Sequence, residues 1–240
     1  MVLALLVAAV CVKLGFWQLD RLHGRRDVNA RIRVGLEQVP RPLTELLAER
    51  PAVALGFRQV TVTGTYHTAD EVILYGRTLD GRNGNHILTP LEPSGGGPLV
   101  IVDRGWVPFE MDTPPVAAAS PPSGTVTVTG ALFPPDASGG GVLTSPTVSR
   151  VDLTQLAGIV GEDVLPMYVL LAEQDPAQPN GLPRPAPLPE LTEGPHLNYA
   201  IQWFAFATIA IVGLIVLVRR DLRDHGGPEA RAGGNEAEPA

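Results

Sequence analysis

The sequence predicts a two-span membrane protein, with two transmembrane α-helices flanking a mainly antiparallel β domain in an α+β arrangement. Three observations predict it. Residues 199–218 read YAIQWFAFATIAIVGLIVLV, 20 residues without a charge. At 1.5 Å per residue they cross about 30 Å of hydrocarbon. A second apolar run opens the chain. Between the two runs lie about seven short stretches of alternating or continuous apolar and β-branched residues, punctuated by Gly and Pro.

Composition agrees. Mean hydropathy is +0.13, yet the formal net charge is −7 with only 18% charged residues. Apolar and charged residues therefore occupy different segments. Residues 20–33 carry five Arg and two Asp, residues 34–198 eight Arg and eighteen acids, and residues 219–240 four Arg and five acids. The 26 Gly and 24 Pro argue against a helix bundle. The acidic balance argues against a nucleic-acid partner, which calls for a basic face. The lone Cys11 excludes an intramolecular disulfide and any paired-cysteine metal or redox site.

The first transmembrane helix is assigned to residues 1–19, where Lys13 and Gln18 interrupt the apolar run. Cut at Val12, the run resembles a signal-peptide core. The missing small-x-small cleavage site and the interfacial aromatic Trp17 favour a retained span. No basic residue precedes the run, so a longer natural N-terminus is expected. Residues 20–55 form a helical collar and connector, weakly packed through Leu22, Ile32 and Leu36, with a short helix over 42–50 opened by Pro42.

The β domain is placed at 56–174. Strands are expected at Phe57–Tyr66, Glu71–Arg77, His86–Leu91, Leu99–Val107 (the most apolar, hence central), Thr125–Phe133, Val148–Val151 and Val164–Ala172, in one antiparallel sheet or barrel. The run DGRNG at 80–84 holds two turn dipeptides. Pro90 marks an edge or bulge. Asp152 caps a helix at 153–160, with Gln155 at the capping-box position. Residues 108–123 and 134–146 read as loops, and 175–198 as a stiff Pro-rich tether. The second transmembrane helix is 199–218. The cytoplasmic tail is 219–240, disordered from 226.

Two spans put both termini on one side. Arg219, Arg220 and Arg223 place the second span's C-terminal flank in the cytoplasm. Arg21, Arg25, Arg26, Arg31 and Arg33 argue the opposite for the loop, but long loops translocate largely regardless of charge. The expected topology is a cell-membrane protein with cytoplasmic termini and an extracytoplasmic β domain.

The chain lacks GxSxG, HExxH and GxxxxGK[ST], and its five His are scattered at 23, 67, 86, 196 and 225. Asp70 and Glu71 are adjacent, so in a strand they face opposite ways. Asp103 and Arg104 in the central strand read as a structural ion pair, and Arg77 and Arg104 as ion-paired or loop-capping. His23 reads as solvated. His196, three residues before the second span, shares a helix face with Tyr199 and Trp203. A neutral imidazole beside aromatics at the membrane border is a candidate heme-iron ligand. The alternative is an interfacial His in an aromatic belt.

At this point a resemblance emerges. Gly15-Phe16-Trp17-Gln18-Leu19 with Arg21 and Arg25 resembles the GxWQLxRxxxK signature of the Surfeit locus protein 1 family. Gly64-Thr65-Tyr66 with Leu74-Tyr75-Gly76-Arg77 resembles its GxY…R element. Leu88-Thr89-Pro90-Leu91 with Val102-Asp103-Arg104-Gly105-Trp106-Val107-Pro108 resembles its TPL…VxRGWVP element. His196, Tyr199, Gln202-Trp203-Phe204 and Phe206-Ala207 resemble its HxxYxxQWFxFA. The four occur in order between two spans. Arg25 stands where Lys is usual, and 134–146 and 175–195 find no counterpart. Seventeen Arg against one Lys suggest a bacterial member with a GC-rich genome.

The resemblance implies a non-enzymatic assembly factor for heme-copper cytochrome c oxidase, a chaperone that transiently binds heme a and helps insert it. The partners implied are the oxidase catalytic subunit, heme a synthase and the lipid bilayer. His196 would ligate the iron and Tyr199 and Trp203 would wall the porphyrin. Trp17, Gln18 and Arg21 would complete the site, Arg21 by pairing with a propionate. For Trp17 and Gln18, span packing and interfacial anchoring stand as the equal alternative. Two rivals remain. One is a membrane scaffold that stabilises an oxidase assembly intermediate without heme. The other is an extracytoplasmic enzyme built on Asp103 and Arg104.

Overall fold

A computed structural model describes residues 2–136, 142–144 and 146–224. The disordered tail expected from 226 and part of the 134–146 loop lie outside the described residues. The chain divides into two compact units, Ala30–Glu190 and the remainder, residues 1–29 with 191–240. Helix α1 (Val2–Leu36) runs unbroken for 35 residues, so the apolar run and the Arg-rich collar are one helix whose last turns belong to the larger unit.

In the larger unit the elements follow in order: β1 (Arg41–Pro42), α2 (Leu43–Glu49), β2 (Gln59–Tyr66), β3 (Val72–Leu79), β4 (Arg82–Pro93), β5 (Val100–Pro108), β6 (Thr125–Phe133), β7 (Val142–Thr144), β8 (Thr147–Val148), α3 (Leu153–Val160) and β9 (Tyr168–Asp175). Six of the seven expected strands are present, most with shifted bounds; the seventh, Val148–Val151, is reduced to Val148 at the end of β8, and residues 149–151 lie in no strand. β1 and β7 are short additions, too brief to leave a periodicity in sequence.

Alternation explains β2, whose Val60, Val62 and Tyr66 are buried while Thr63 and Thr65 face out. β5 is different. Residues 100–107 are all buried, because Val100 and Val102 face one core while Ile101 joins another under α3. A strand buried on both faces reads as a continuous apolar run. Asp80-Gly81 alone makes the β3–β4 turn, with φ of 51° and 74° at its two residues. The second dipeptide, Asn83-Gly84, is not a turn; it lies inside β4.

β2 pairs with β6 on one side and with β4 on the other, so β2, β6, β9, β5 and β4 close into a barrel. The closing pairing is short, Gly64–Tyr66 against Leu91–Pro93. A Cβ at Gly64 would run into the Glu92 carbonyl, so the seam needs glycine there. Pro90 falls where β4 leaves β3, after Leu88, and joins β2, from Leu91, as its lack of an amide hydrogen favours. The sheet is not purely antiparallel: β1–β2, β3–β8 and β5–β9 are parallel. Leu43, Leu46 and Leu55 from α2 and the turn after it join the barrel core. The Asp152 carboxylate caps α3, accepting from the Thr154 and Gln155 amides.

β5 carries a bulge: Leu88 opposes Asp103, Ile87 opposes Gly105, and Arg104 is the extra residue. Gly105, at φ 116°, lies against the Arg184 carbonyl. Asp103 and Arg104 do not pair with each other, contrary to the sequence expectation, because the bulge sends them to different partners. Asp103 bonds His86 at 2.8 Å. Arg104 is 1% exposed and gathers five segments. It donates to Glu71 at 3.3 Å, to Thr89 at 3.5 Å, to the Ala119 carbonyl at 2.6 Å and to Gln178 at 2.8 Å. It also stacks 5.3 Å from the Tyr66 ring. Glu71 in turn accepts from the Val116 amide at 2.8 Å. Arg104 Nε is the one buried side-chain nitrogen or oxygen without a partner among the described residues.

This cluster holds the Pro-rich segments in place. Residues 175–190, expected as part of a free tether, are instead docked on the barrel by Gln178, by the Trp106–Arg184 backbone bridge and by Leu182. Arg77 makes no ion pair among the described residues; it donates to the Tyr75 carbonyl at 3.5 Å.

Two outcomes follow for stability. Arg104→Leu leaves Glu71 buried and unpaired, and should cost the domain about 3–5 kcal/mol in chemical denaturation. Arg104→Lys should also destabilise it, since one ammonium cannot replace a fork that reaches Glu71, Ala119 and Gln178 together. Burial raises the Glu71 carboxyl above the ordinary carboxylate range, with the Val116 N–H and Arg104 opposing. The folded state then holds the proton more tightly than the unfolded state. Stability is therefore lost as pH rises from the ordinary carboxylate value through the raised one. In Glu71→Gln that slope in the denaturation midpoint against pH should disappear.

Candidate functional site

The second unit pairs the first 29 residues with the chain from Leu191, including α4 (His196–Asp224). Both α1 and α4 are long and apolar enough to cross a membrane. Their contacts run antiparallel, with Gly15 and Phe16 against Phe204 and Gln18 against His196. Within residues 2–29 of α1 the buried residues are Ala8, Cys11, Gly15, Gln18 and Leu22, spaced alternately by three and four. That is the spacing of a helix–helix seam. On α4, Ala200 and Ala207 are buried one heptad apart. Small residues let the backbones approach where lipid gives no hydrophobic drive. A Cβ at Gly15 would stand 2.7 Å from the Phe204 ring.

Gln18 is the polar residue of that stripe, 9% exposed. Its Oε1 accepts a hydrogen bond from His196 Nδ1 at 2.9 Å. An amide oxygen can only accept, so in the neutral imidazole the proton sits on Nδ1 and the lone pair is on Nε2. A metal-ligating histidine commonly donates its other ring N–H to a fixed acceptor in this way. Gly194, at φ 68°, lies beside the free nitrogen; a Cβ there would be 3.5 Å from Nε2. Any other residue would strain the backbone there.

Segment 191–195 is tied to α1 by charge. Arg26 and Glu193 form a two-point pair at 2.8 Å each, and Asn29 donates to the Thr192 carbonyl at 3.1 Å. The guanidinium beside it lowers the Glu193 carboxyl below its usual value. Sequence reading missed Arg26, Asn29, Glu193 and Gly194. A pair 167 residues apart leaves no spacing signal.

The six residues expected at the site are only partly assembled. The structure joins Gln18 to His196, and Arg21 to Trp17, whose ring lies 5.5 Å from the guanidinium. Trp203 meets Phe206, ring centroids 6.0 Å apart. Tyr199 and Trp203 are linked to His196 by helical spacing alone. Trp17 and Tyr199 are about half exposed, 48% and 47%, and so present open ring surface near the His196 level of the two helices. Arg21 meets no carboxylate among the described residues.

In the β domain His86 and Asp103 form a polar pair at 2.8 Å. Both side chains are largely buried, and Asp103 also accepts from the Gly105 amide at 3.0 Å. Asp103 thereby stabilises the bulge that sets Arg104. Among the described residues no group of three or more His, Cys, Asp or Glu is arranged to hold a metal ion.

Comparison with known proteins agrees with the resemblance. Residues 5–208 match the model of the SURF1 family. An uncharacterised SURF1-like protein of Mycobacterium tuberculosis is 32% identical over 218 residues, covering 86% of this chain and 77% of the relative. A SURF1-like protein of Caenorhabditis elegans is 25% identical, over 91% of this chain and 73% of its own length. The cytochrome oxidase assembly protein SHY1 of Saccharomyces cerevisiae is 28% identical over 101 residues, 42% of this chain and 26% of that protein. With the family match running from the first helix, past the Gln18–His196 contact and into the second, this chain belongs to the SURF1 family.

Proposed function

We propose that the protein is a non-enzymatic assembly factor for cytochrome c oxidase that binds heme a at His196 and hands it to the catalytic subunit. The single observation that carries the heme assignment is the Gln18–His196 hydrogen bond, which leaves Nε2 without a proton at the end of an apolar helix pair. The residues present fit the group. The imidazole has the tautomer a metal ligand needs. The rings of Trp17 and Tyr199 are half exposed nearby. The assembly role draws on the family match and on the name of the yeast relative.

In this reading His196 binds, Gln18 orients it, and the rings shield the site from water. Arg21, having no carboxylate partner, is free to meet an anionic edge of the ligand. Heme a itself supplies the iron that the imidazole would ligate. The Arg-rich α4 flank favours cytoplasmic termini in the plasma membrane, with the β domain on the far side near the oxidase and heme a synthase.

The test is the visible spectrum of the full chain purified from cells that make heme a. Wild type should carry a chromophore and His196→Ala should lose it at unchanged protein level. Full retention in His196→Ala overturns the ligand role. A colourless wild type that co-purifies with the oxidase subunit supports the heme-free scaffold. Gln18→Leu should lower heme a affinity by about 10–100-fold, the usual cost of losing a metal ligand's hydrogen-bond partner. It should also move the absorption maximum of the residual complex, which a purely packing role of Gln18 would leave in place.

A further inference from the structure

A cavity of about 700 Å³ opens between the last turns of α1, the 3-10 turn at Ala52–Leu55 and the start of β2. Arg31, Arg50 and Arg58 line it, with no acidic residue among the lining side chains. This contrasts with a stretch, residues 34–198, that carries eighteen acids and eight Arg. Other arginines in this unit have acid partners, Arg41 with Glu45 and Glu49, Arg104 with Glu71 and Arg184 with Asp80, while Arg77 and Arg82 make no ion pair among the described residues. None of the three cleft arginines makes a side-chain hydrogen bond or ion pair among the described residues. Glu49 feels the charge of Arg50 and Arg58, but its carboxylate is hydrogen-bonded by Arg41 at 2.7 Å.

The other side of the cleft is apolar. Val34 and Val53 line it at 58% and 68% exposed, and Phe57 forms part of its floor. Phe57 has φ 68°, a conformation an aromatic residue seldom adopts. It is held there by its edge-on contact with Phe133 at 5.4 Å and its amide bond to the Leu132 carbonyl. Backbone strain of this kind gathers at ligand sites. Unpaired cations beside exposed apolar side chains call for a ligand with an anionic head and an apolar body. The volume suits a small molecule. Arg31 and Val34 belong to a helix whose earlier residues are apolar and long enough to cross a membrane, so the abundant molecule of that chemistry is a phospholipid.

We propose that this cleft is a binding site for an anionic phospholipid, its phosphate held by Arg31, Arg50 and Arg58 and its glycerol-acyl part by Val34, Val53 and Phe57. The experiment uses the full chain in neutral detergent, with phosphatidylglycerol or phosphatidylcholine of the same acyl chains, and native mass spectrometry to count bound lipid. Phosphatidylglycerol should be retained at a concentration about tenfold or more below phosphatidylcholine, given the attraction each cation near a headgroup provides. The triple variant R31Q/R50Q/R58Q should lose that preference. If the triple variant melts early, the three single variants are read instead, each weakening the preference. Val53→Asn should weaken phosphatidylglycerol binding while leaving any inorganic phosphate binding unchanged. Equal retention of the two lipids, or an unchanged preference in the arginine variants, overturns the proposal. Two further outcomes do the same: glycerophosphate without acyl chains binding as tightly as the lipid, and an acidic peptide occupying the cleft where phosphatidylglycerol does not.

Discussion

The β domain depends on one buried cation. Arg104 sits at a bulge in the strand buried on both faces, and its guanidinium touches Glu71, Thr89, Gln178, the Ala119 carbonyl and the Tyr66 ring. The segments it meets, around 109–124 and 176–186, are rich in Pro and form no ladder of their own beyond isolated turns. Such segments have little means of holding one conformation except through anchors. A guanidinium offers five donors in a fixed fork and so can tie several chains at one point. Desolvation works against such an ion, and only well-placed partners offset it. Here Glu71 supplies the countercharge and itself holds the Val116 amide, so the two Pro-rich segments are pinned through one charge pair. The bulge makes this possible by sending Asp103 to His86 and Arg104 to the cluster.

The helix pair obeys different physics. It has little area to gain by burying apolar groups away from lipid, so contact relies on close approach and on polar groups that find each other. Gly15 against Phe204 is the close approach, and Gln18 with His196 is the polar pair. The same hydrogen bond that joins the helices also selects the imidazole tautomer. Packing and ligand chemistry thus share one interaction, and a site with an open Nε2 comes as a consequence of how the seam is satisfied. The salt-bridged Arg26 and Glu193 hold the approach to α4, so the histidine begins its helix from a constrained position.

Legibility followed the range of the forces. The helices, the alternating strand β2 and the Asp152 cap depend on neighbours within a turn or on side-chain period, and each was visible as a pattern. The double burial of β5 showed in its being the most apolar of the expected strands, although Asp103 and Arg104 interrupt it. The short parallel pairings of β1 and β8 did not show, because two residues carry no period. Asp103 and Arg104 looked like partners because they are adjacent, but Asp103 bonds His86 while Arg104, the extra residue of the bulge, meets Glu71. The stretch 175–190 looked like a tether because Pro and Gly suppress periodicity whether or not a segment is docked.

By itself the sequence determined the two apolar helices, the β-rich middle, the acidic character of that middle and the four ordered motifs that mark the family. These are properties of composition and local period, and they survive without knowing what touches what. Only the tertiary structure decided that five strands close through Gly64, that Arg104 ties the Pro-rich segments, and that Gln18 faces His196. Each of these joins residues far apart in the chain, where the outcome depends on which surfaces meet and which buried polar groups find a partner there.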